Sequence, residues 1–166
     1  FADLYPGNVY LNQFIKGDIY DMPCSIKSKS FNLVSLLQVL SWIPSWERAL
    51  TSISELQHEY LIGSALFYEG LISADISIKE HAISNEQTLS SSYNILSIPI
   101  FEQKLVSLGY SNICWQKFEI PENLTHSDIN TMGTYTRSLD NGELLQCSGP
   151  ILMPWYFFFA KYTPNL

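Results

Sequence analysis

Residues 31–40 read FNLVSLLQVL, an almost unbroken apolar run from Phe31 to Leu37. A run of that length and composition predicts a strand buried on both faces, the habit of a parallel sheet. Ile43-Pro44-Ser45 then breaks the chain. Ser45 stands where a helix cap is needed, ahead of Trp46-Glu47-Arg48-Ala49-Leu50. Trp46, Leu50, Ile53 and Leu56 follow three-and-four spacing, so one face of this helix is apolar. Residues 59–67, EYLIGSALF, predict a second strand with a small-residue interruption at Gly63-Ser64. Strand, helix and strand in succession argue for an α/β sheet.

Upstream, residues 9–15 (VYLNQFI) are β-rich and run into a Gly17-Asp18 turn. Downstream, residues 68–92 are polar and Ser-rich, and predict a long connection with a short helix near residues 78–82. Ser97-Ile98-Pro99 opens a further helix with a stripe of Ile98, Phe101, Leu105 and Leu108, closed by Gly109. Residues 111–120 alternate as a strand. Residues 135–139 and 144–147 flank Asp140-Asn141-Gly142, a hairpin signal, and this pair is expected to add an antiparallel edge to the sheet. Residues 153–162 form a last, aromatic strand, expected to run against its neighbours.

The chain has 166 residues, enough for one domain with a sizeable core. It is 46% hydrophobic and 15% charged, which excludes disorder. The charged fraction falls below the roughly 25% of an average globular protein, so a partner or a further part of the chain is expected. A net charge of -7 with only nine scattered Lys and Arg argues against a nucleic-acid module, and no nucleic-acid partner is expected. No apolar run reaches the ~20 residues of a membrane span, so no membrane partner is expected. Cys24, Cys114 and Cys147 lie far apart with no CxxC pair, and no cluster has metal-ligand spacing. No metal is expected, and the thiols suggest a reducing, cytoplasmic setting. His58, His81 and His126 are assigned no role.

Three segments together resemble a known family. Phe14-Ile15-Lys16-Gly17-Asp18-Ile19, followed by Met22-Pro23, resembles the "GD…LP" segment of class I S-adenosylmethionine-dependent methyltransferases. Residues 31–40 resemble that family's "FDLV…VL" segment. Ser41-Trp42-Ile43-Pro44 and Glu47-Arg48-Ala49-Leu50 take the place of the "HxIP" turn and helix that follow it. Gly109-Tyr110 matches the "GF" before the last strand pair. The departures are Asn32 for the usual Asp, Ser41 for the frequent His, and the lack of any GxGxG loop. The resemblance places that loop, and the acidic residue that holds the ribose hydroxyls, upstream of Phe1. It therefore implies that residues 1–166 form a single partial domain. The implied fold is a Rossmann-like, mostly parallel α/β sheet with an antiparallel C-terminal strand, its N-terminal strands missing and apolar strand edges left open.

The resemblance also implies transfer of a methyl group from S-adenosylmethionine to a small-molecule acceptor. Asp18 would accept from the adenine amine, and the Ile19 amide would donate to a ring nitrogen. Leu36, Leu37 and Gln38 would approach the adenosine and the methionine part. On the residues alone, Asp18 is an ordinary turn residue and Leu36 and Leu37 are ordinary core. Gln38 is harder to dismiss, because it interrupts an apolar run. Tyr68 and Glu69 would face the acceptor, with Glu69 a candidate general base, although a loop glutamate is commonly just solvated. No catalytic residue is assigned, because a sulfonium leaves readily and methyl transfer rests on alignment. Two other readings stand beside this one: a Rossmann-like NAD(P)-dependent oxidoreductase, and a non-catalytic interaction domain derived from a methyltransferase.

Overall fold

The computed structural model describes residues 15–80, 89–126 and 132–164. A short helix, α1 (Cys24–Lys27), precedes strand β1 (Ser30–Leu37), a 3-10 turn at Leu40–Trp42 and helix α2 (Trp46–Ser54). There follow β2 (Gln57–Tyr68), β3 (Ala74–Glu80), β4 (Leu89–Ser97), helix α3 (Ile98–Ser107) and β5 (Tyr110–Lys117). The chain ends with β6 (Thr134–Ser138), β7 (Leu144–Ser148), β8 (Ile151–Leu152) and β9 (Trp155–Tyr162).

β2 is the hub of a six-stranded sheet. Along one edge it pairs antiparallel with β9, which pairs antiparallel with β5 in turn. Along its other edge two strands follow one another. β1 pairs in parallel from Ser30↔Gln57 to Leu37↔Ser64, and β4 pairs in parallel at Phe67↔Leu96 and Tyr68↔Ser97. The gap between them would leave a buried N–H without a partner. Ser41, fully buried, fills it: its Oγ accepts the Leu66 N–H at 2.7 Å. Asn94 Nδ2 donates to the Ile43 carbonyl at 2.7 Å, and Trp42 meets Tyr93 edge-on, so the 3-10 turn is locked to β4.

The helices cover one face of this sheet. Leu50 and Ile53 of α2 and Phe101 and Leu105 of α3 are fully buried against Leu61, Ala65, Phe67 and Phe158. The spacing of these side chains accounts for both helices. Ser97 caps α3 by accepting the Ile100 N–H at 3.4 Å, while Ser45 leads α2 without a side-chain cap. Gly109 ends α3 at φ +91°, a left-handed conformation that suits glycine. Gly63 matters for another reason. The Phe158 ring lies over it so closely that a Cβ at position 63 would overlap the ring.

Several expectations are corrected. The sheet is not the mostly parallel Rossmann-like sheet expected. Of the described residues 47% are strand and 19% helix, with a mixed main sheet and a second small one. Only β1–β2 and β2–β4 are parallel, whereas β2–β9, β5–β9 and β3–β4 are antiparallel. The excess of strand comes from residues expected to form a connection. Ile76 and Ile78 alternate with polar residues opposite Tyr93 and Ser91, and so form β3 and β4 rather than loop and short helix. Leu66, Ile78, Tyr93 and Met153 make a second core there. The Asp140-Asn141-Gly142 hairpin does form, but β6 and β7 join β8 in a separate three-stranded sheet instead of extending the main one.

β1 is not buried on both faces. Leu36 faces the helices, while Leu33 and Leu37 are 51% and 56% exposed on a face that no described residue covers. β9 does run antiparallel to both its neighbours. Of the first expected strand, residues 9–14 lie outside the described residues and Ile15 has no regular structure.

At the amino end of β2 the sheet closes on an aromatic stack. His58 lies parallel to Tyr162 with ring centres 4.6 Å apart. Its Nδ1 is 2.8 Å from the Leu56 carbonyl and its Nε2 is 2.9 Å from the Tyr110 hydroxyl. A carbonyl can only accept, so Nδ1 carries the proton and Nε2 accepts from Tyr110. Burial disfavours a second proton and lowers the His58 pKa, against a smaller opposing effect of the Leu56 carbonyl.

Two outcomes follow. Ser41→Ala should destabilise the fold by about 1–3 kcal/mol, because the Leu66 N–H stays buried and unpaired. Ser52, whose buried Oγ has no partner, provides the contrast: Ser52→Ala should be neutral or mildly stabilising in the same urea titrations. Because the folded His58 pKa lies below its ordinary value of about 6.5, its contribution is complete above that pH. It is lost as pH falls toward the folded value. Urea midpoints between pH 7.5 and 5 should therefore fall more steeply for the wild type than for His58→Gln.

Candidate active site

β1, β2, β4 and β5 all point one way, so their carboxyl ends, with the start of β9, share one edge of the main sheet. Ligands of open α/β sheets gather outside such ends, where neighbouring strands diverge. Here β1 turns away from β2 just past Leu37. Gln38 makes the turn at φ 57°, left-handed for a residue other than glycine. Its N–H is shared between the Ser64 carbonyl at 2.9 Å and the Ser64 Oγ at 3.1 Å. Such a conformation costs roughly 1–2 kcal/mol and is found repeatedly at functional sites. Leu36 is buried, whereas Leu37 and Gln38 are exposed.

Asp18 forms a tight turn. Its Oδ1 accepts the Tyr20 N–H at 2.9 Å, and its carbonyl accepts the Asp21 N–H at 3.1 Å. Tyr20 anchors this turn to the start of α2: its hydroxyl accepts the Ser45 N–H at 3.2 Å, and Arg48 lies over its ring. Ile19 is half-buried against the main core. The Asp18 turn therefore sits toward the same end of the sheet as Leu37 and Gln38. The turn role weighed for Asp18 is visible in its own hydrogen bond.

Tyr68 and Glu69 share a cleft. It occupies about 210 Å³ between the carboxyl ends of β2 and β5, the start of β9 and the small sheet. Phe67, Phe118, Met153 and Trp155 make its walls largely apolar. Leu36, Leu37 and Gln38 are not among its walls. The Tyr156 hydroxyl donates to Glu69 Oε1 at 2.6 Å. Burial first, and then the hydrogen bond and charge of Glu69, push the Tyr156 pKa up to about 12. Tyr156 is thus a neutral donor at ordinary pH, and Glu69 is held by it. Lys117 lies 3.6 Å from Glu119 at another wall. Gln146, also in the wall, has a buried Nε2 with no acceptor.

Sequence reasoning reached Tyr68 and Glu69 but missed Tyr156, Gln146 and Trp155. Tyr156 was hidden because β9 (WYFFFAKY) carries aromatic residues on both faces, which erases the alternation that marks a side. Gln146 carried the same signal as Gln38, a polar side chain inside an apolar strand. Among the described residues, no three His, Cys, Asp or Glu are grouped to hold a metal ion. No helix there is long and apolar enough to cross a membrane. Cys24 and Cys114 are exposed free thiols, and Cys147 is buried. His81 lies outside the described residues.

No protein-family model matches this sequence, and no curated protein matches it either.

The Tyr156–Glu69 bond can be measured directly. A double-mutant cycle with Tyr156→Phe and Glu69→Gln should give a coupling of about 1 kcal/mol in urea unfolding, below the 1.5–3 kcal/mol of a buried charged bond because Glu69 is solvated on one side.

Proposed function

We propose that this protein transfers a methyl group from S-adenosylmethionine to a small molecule held in the cleft of Tyr68 and Glu69. The observation that carries the reading is the fork at the carboxyl edge. β1 leaves β2 there through the left-handed Gln38, and a cleft bearing a carboxylate opens at the end of β2. Two adjacent binding regions, one for each reactant, are what a two-substrate transfer needs.

The residues present suit the adenosine half of the cofactor. Asp18 uses one hydrogen bond in its own turn, and a carboxylate has about four acceptor sites, so capacity remains for the adenine amine. Leu37 offers an exposed apolar surface and Gln38 an exposed amide beside it. S-adenosylmethionine supplies a methyl group on sulfonium, already activated for transfer. The tasks of the chain are then to hold the acceptor against Tyr68 and to receive a proton at Glu69 where the acceptor must lose one. The exposed Cys24 and Cys114 suit a reducing, cytoplasmic setting.

Calorimetric titration of S-adenosylhomocysteine into the intact protein tests the reading. Asp18→Ala should weaken binding about ten- to a hundredfold, the worth of one hydrogen bond to a charged acceptor. Asp18→Asn should be milder, since its amide oxygen still accepts. A fall in the apo melting temperature with unchanged affinity would give Asp18 to the turn alone. If the wild type binds nothing, the interaction-domain reading prevails, which the open apolar face of Leu33, Leu37 and Phe159 favours.

A further inference from the structure

The cleft is unbalanced in charge. Glu69 lines it, and among the described residues its one side-chain donor is the neutral Tyr156 hydroxyl. Lys117, the one cation among its walls, lies 3.6 Å from Glu119. An adjoining hollow shares Lys117 and Glu119 and adds Glu143, so carboxylates outnumber cations across the whole opening. Around these charges the walls are aromatic: Tyr68, Phe118 and Trp155. On the other side of Tyr68 and Leu152 a second hollow is built from Ile72, Ala74, Ile95 and Pro154, with no charged residue among its walls.

We propose that the cleft binds a hydrophobic primary or secondary amine as its ammonium ion. The cation sits on Glu69, and the apolar body runs over Tyr68 and Leu152 into the hollow of Ile72 and Ile95. Two properties select this class. A carboxylate without a cationic partner, beside further negative charge, attracts a cation and repels an acid. The faces of Tyr68, Phe118 and Trp155 add cation–π attraction for an ammonium that they do not offer a neutral alcohol.

Binding needs no cofactor. That the amine is also the methyl acceptor rests on the methyltransferase reading. For transfer the ammonium would first give a proton to Glu69 and on to solvent, which frees the nitrogen lone pair; the N–CH3 bond would then form as the S–CH3 bond breaks, with its electron pair kept by sulfur.

The probes are 2-phenylethylamine, 2-phenylethanol and phenylacetate, titrated by calorimetry into the full chain at pH 7.5. The amine should bind at least about tenfold more tightly than the alcohol, and the acid should not bind detectably. Glu69→Gln should remove the preference for the amine while lowering the melting temperature by no more than the few degrees that the weakened Tyr156 bond accounts for, and Tyr68→Ala should weaken amine and alcohol alike. Equal affinity for amine and alcohol, or an unchanged amine affinity in Glu69→Gln, would overturn the proposal. A second arm adds S-adenosylmethionine and follows the mass of the amine. Selective amine binding without methylation upholds the amine site and removes the transferase reading. Methylation of the alcohol or acid in preference to the amine keeps the transferase reading and overturns the amine site.

Discussion

The main sheet depends on one edge of β2, where two parallel neighbours share a strand too long for either. β1 covers the first part and β4 the last two residues, and the Leu66 N–H between them is buried. A buried backbone donor must be satisfied. Here one hydroxyl, from Ser41, does so, which forces the chain after β1 to double back against β2 within four residues of Leu37. The left-handed Gln38, the 3-10 turn and the contact of Trp42 with Tyr93 are all ways of making that return. The fork that separates β1 from β4 is therefore a by-product of hydrogen-bond satisfaction.

The two ends of the sheet use the same kinds of side chain in opposite ways. At the amino end, His58, Tyr110 and Tyr162 satisfy one another and nearby carbonyls, and both His58 and Tyr110 are kept uncharged by burial. Among the described residues, the polar ring atoms there all have partners. At the carboxyl end, among the described residues, Tyr156 satisfies one oxygen of Glu69 and the carboxylate lines an aromatic cleft. A titratable group marks a site by the partners it lacks, more than by its own chemistry.

How far the fold was legible follows from how each segment carries its pattern. Residues 31–40, α2 and α3 declare themselves through unbroken apolar runs, three-and-four spacing and the Ser97 cap. β3 and β4 do not. Their alternation rests on a few apolar residues set among serines, and a Ser-rich stretch is the usual composition of a loop. The hairpin at Gly142 was readable as a turn, but which sheet it joins is decided by β8, two residues long and without any signal of its own. At the site, Tyr68 and Glu69 were reachable because they follow a strand end. Tyr156 comes to Glu69 from 87 residues away through the β2–β9 register, which no local pattern encodes.

Gly63 and Phe158 face each other across that same register, with no space for a side chain beneath the ring. Neither position can drift alone. A larger residue at 63 is tolerable only where 158 has already become smaller, and a smaller residue at 158 opens a void unless 63 grows to meet it. In any set of descendants of this chain the two positions should change as a pair, although 95 residues separate them, and that shared history would be a record of the reversed strand written in sequence alone.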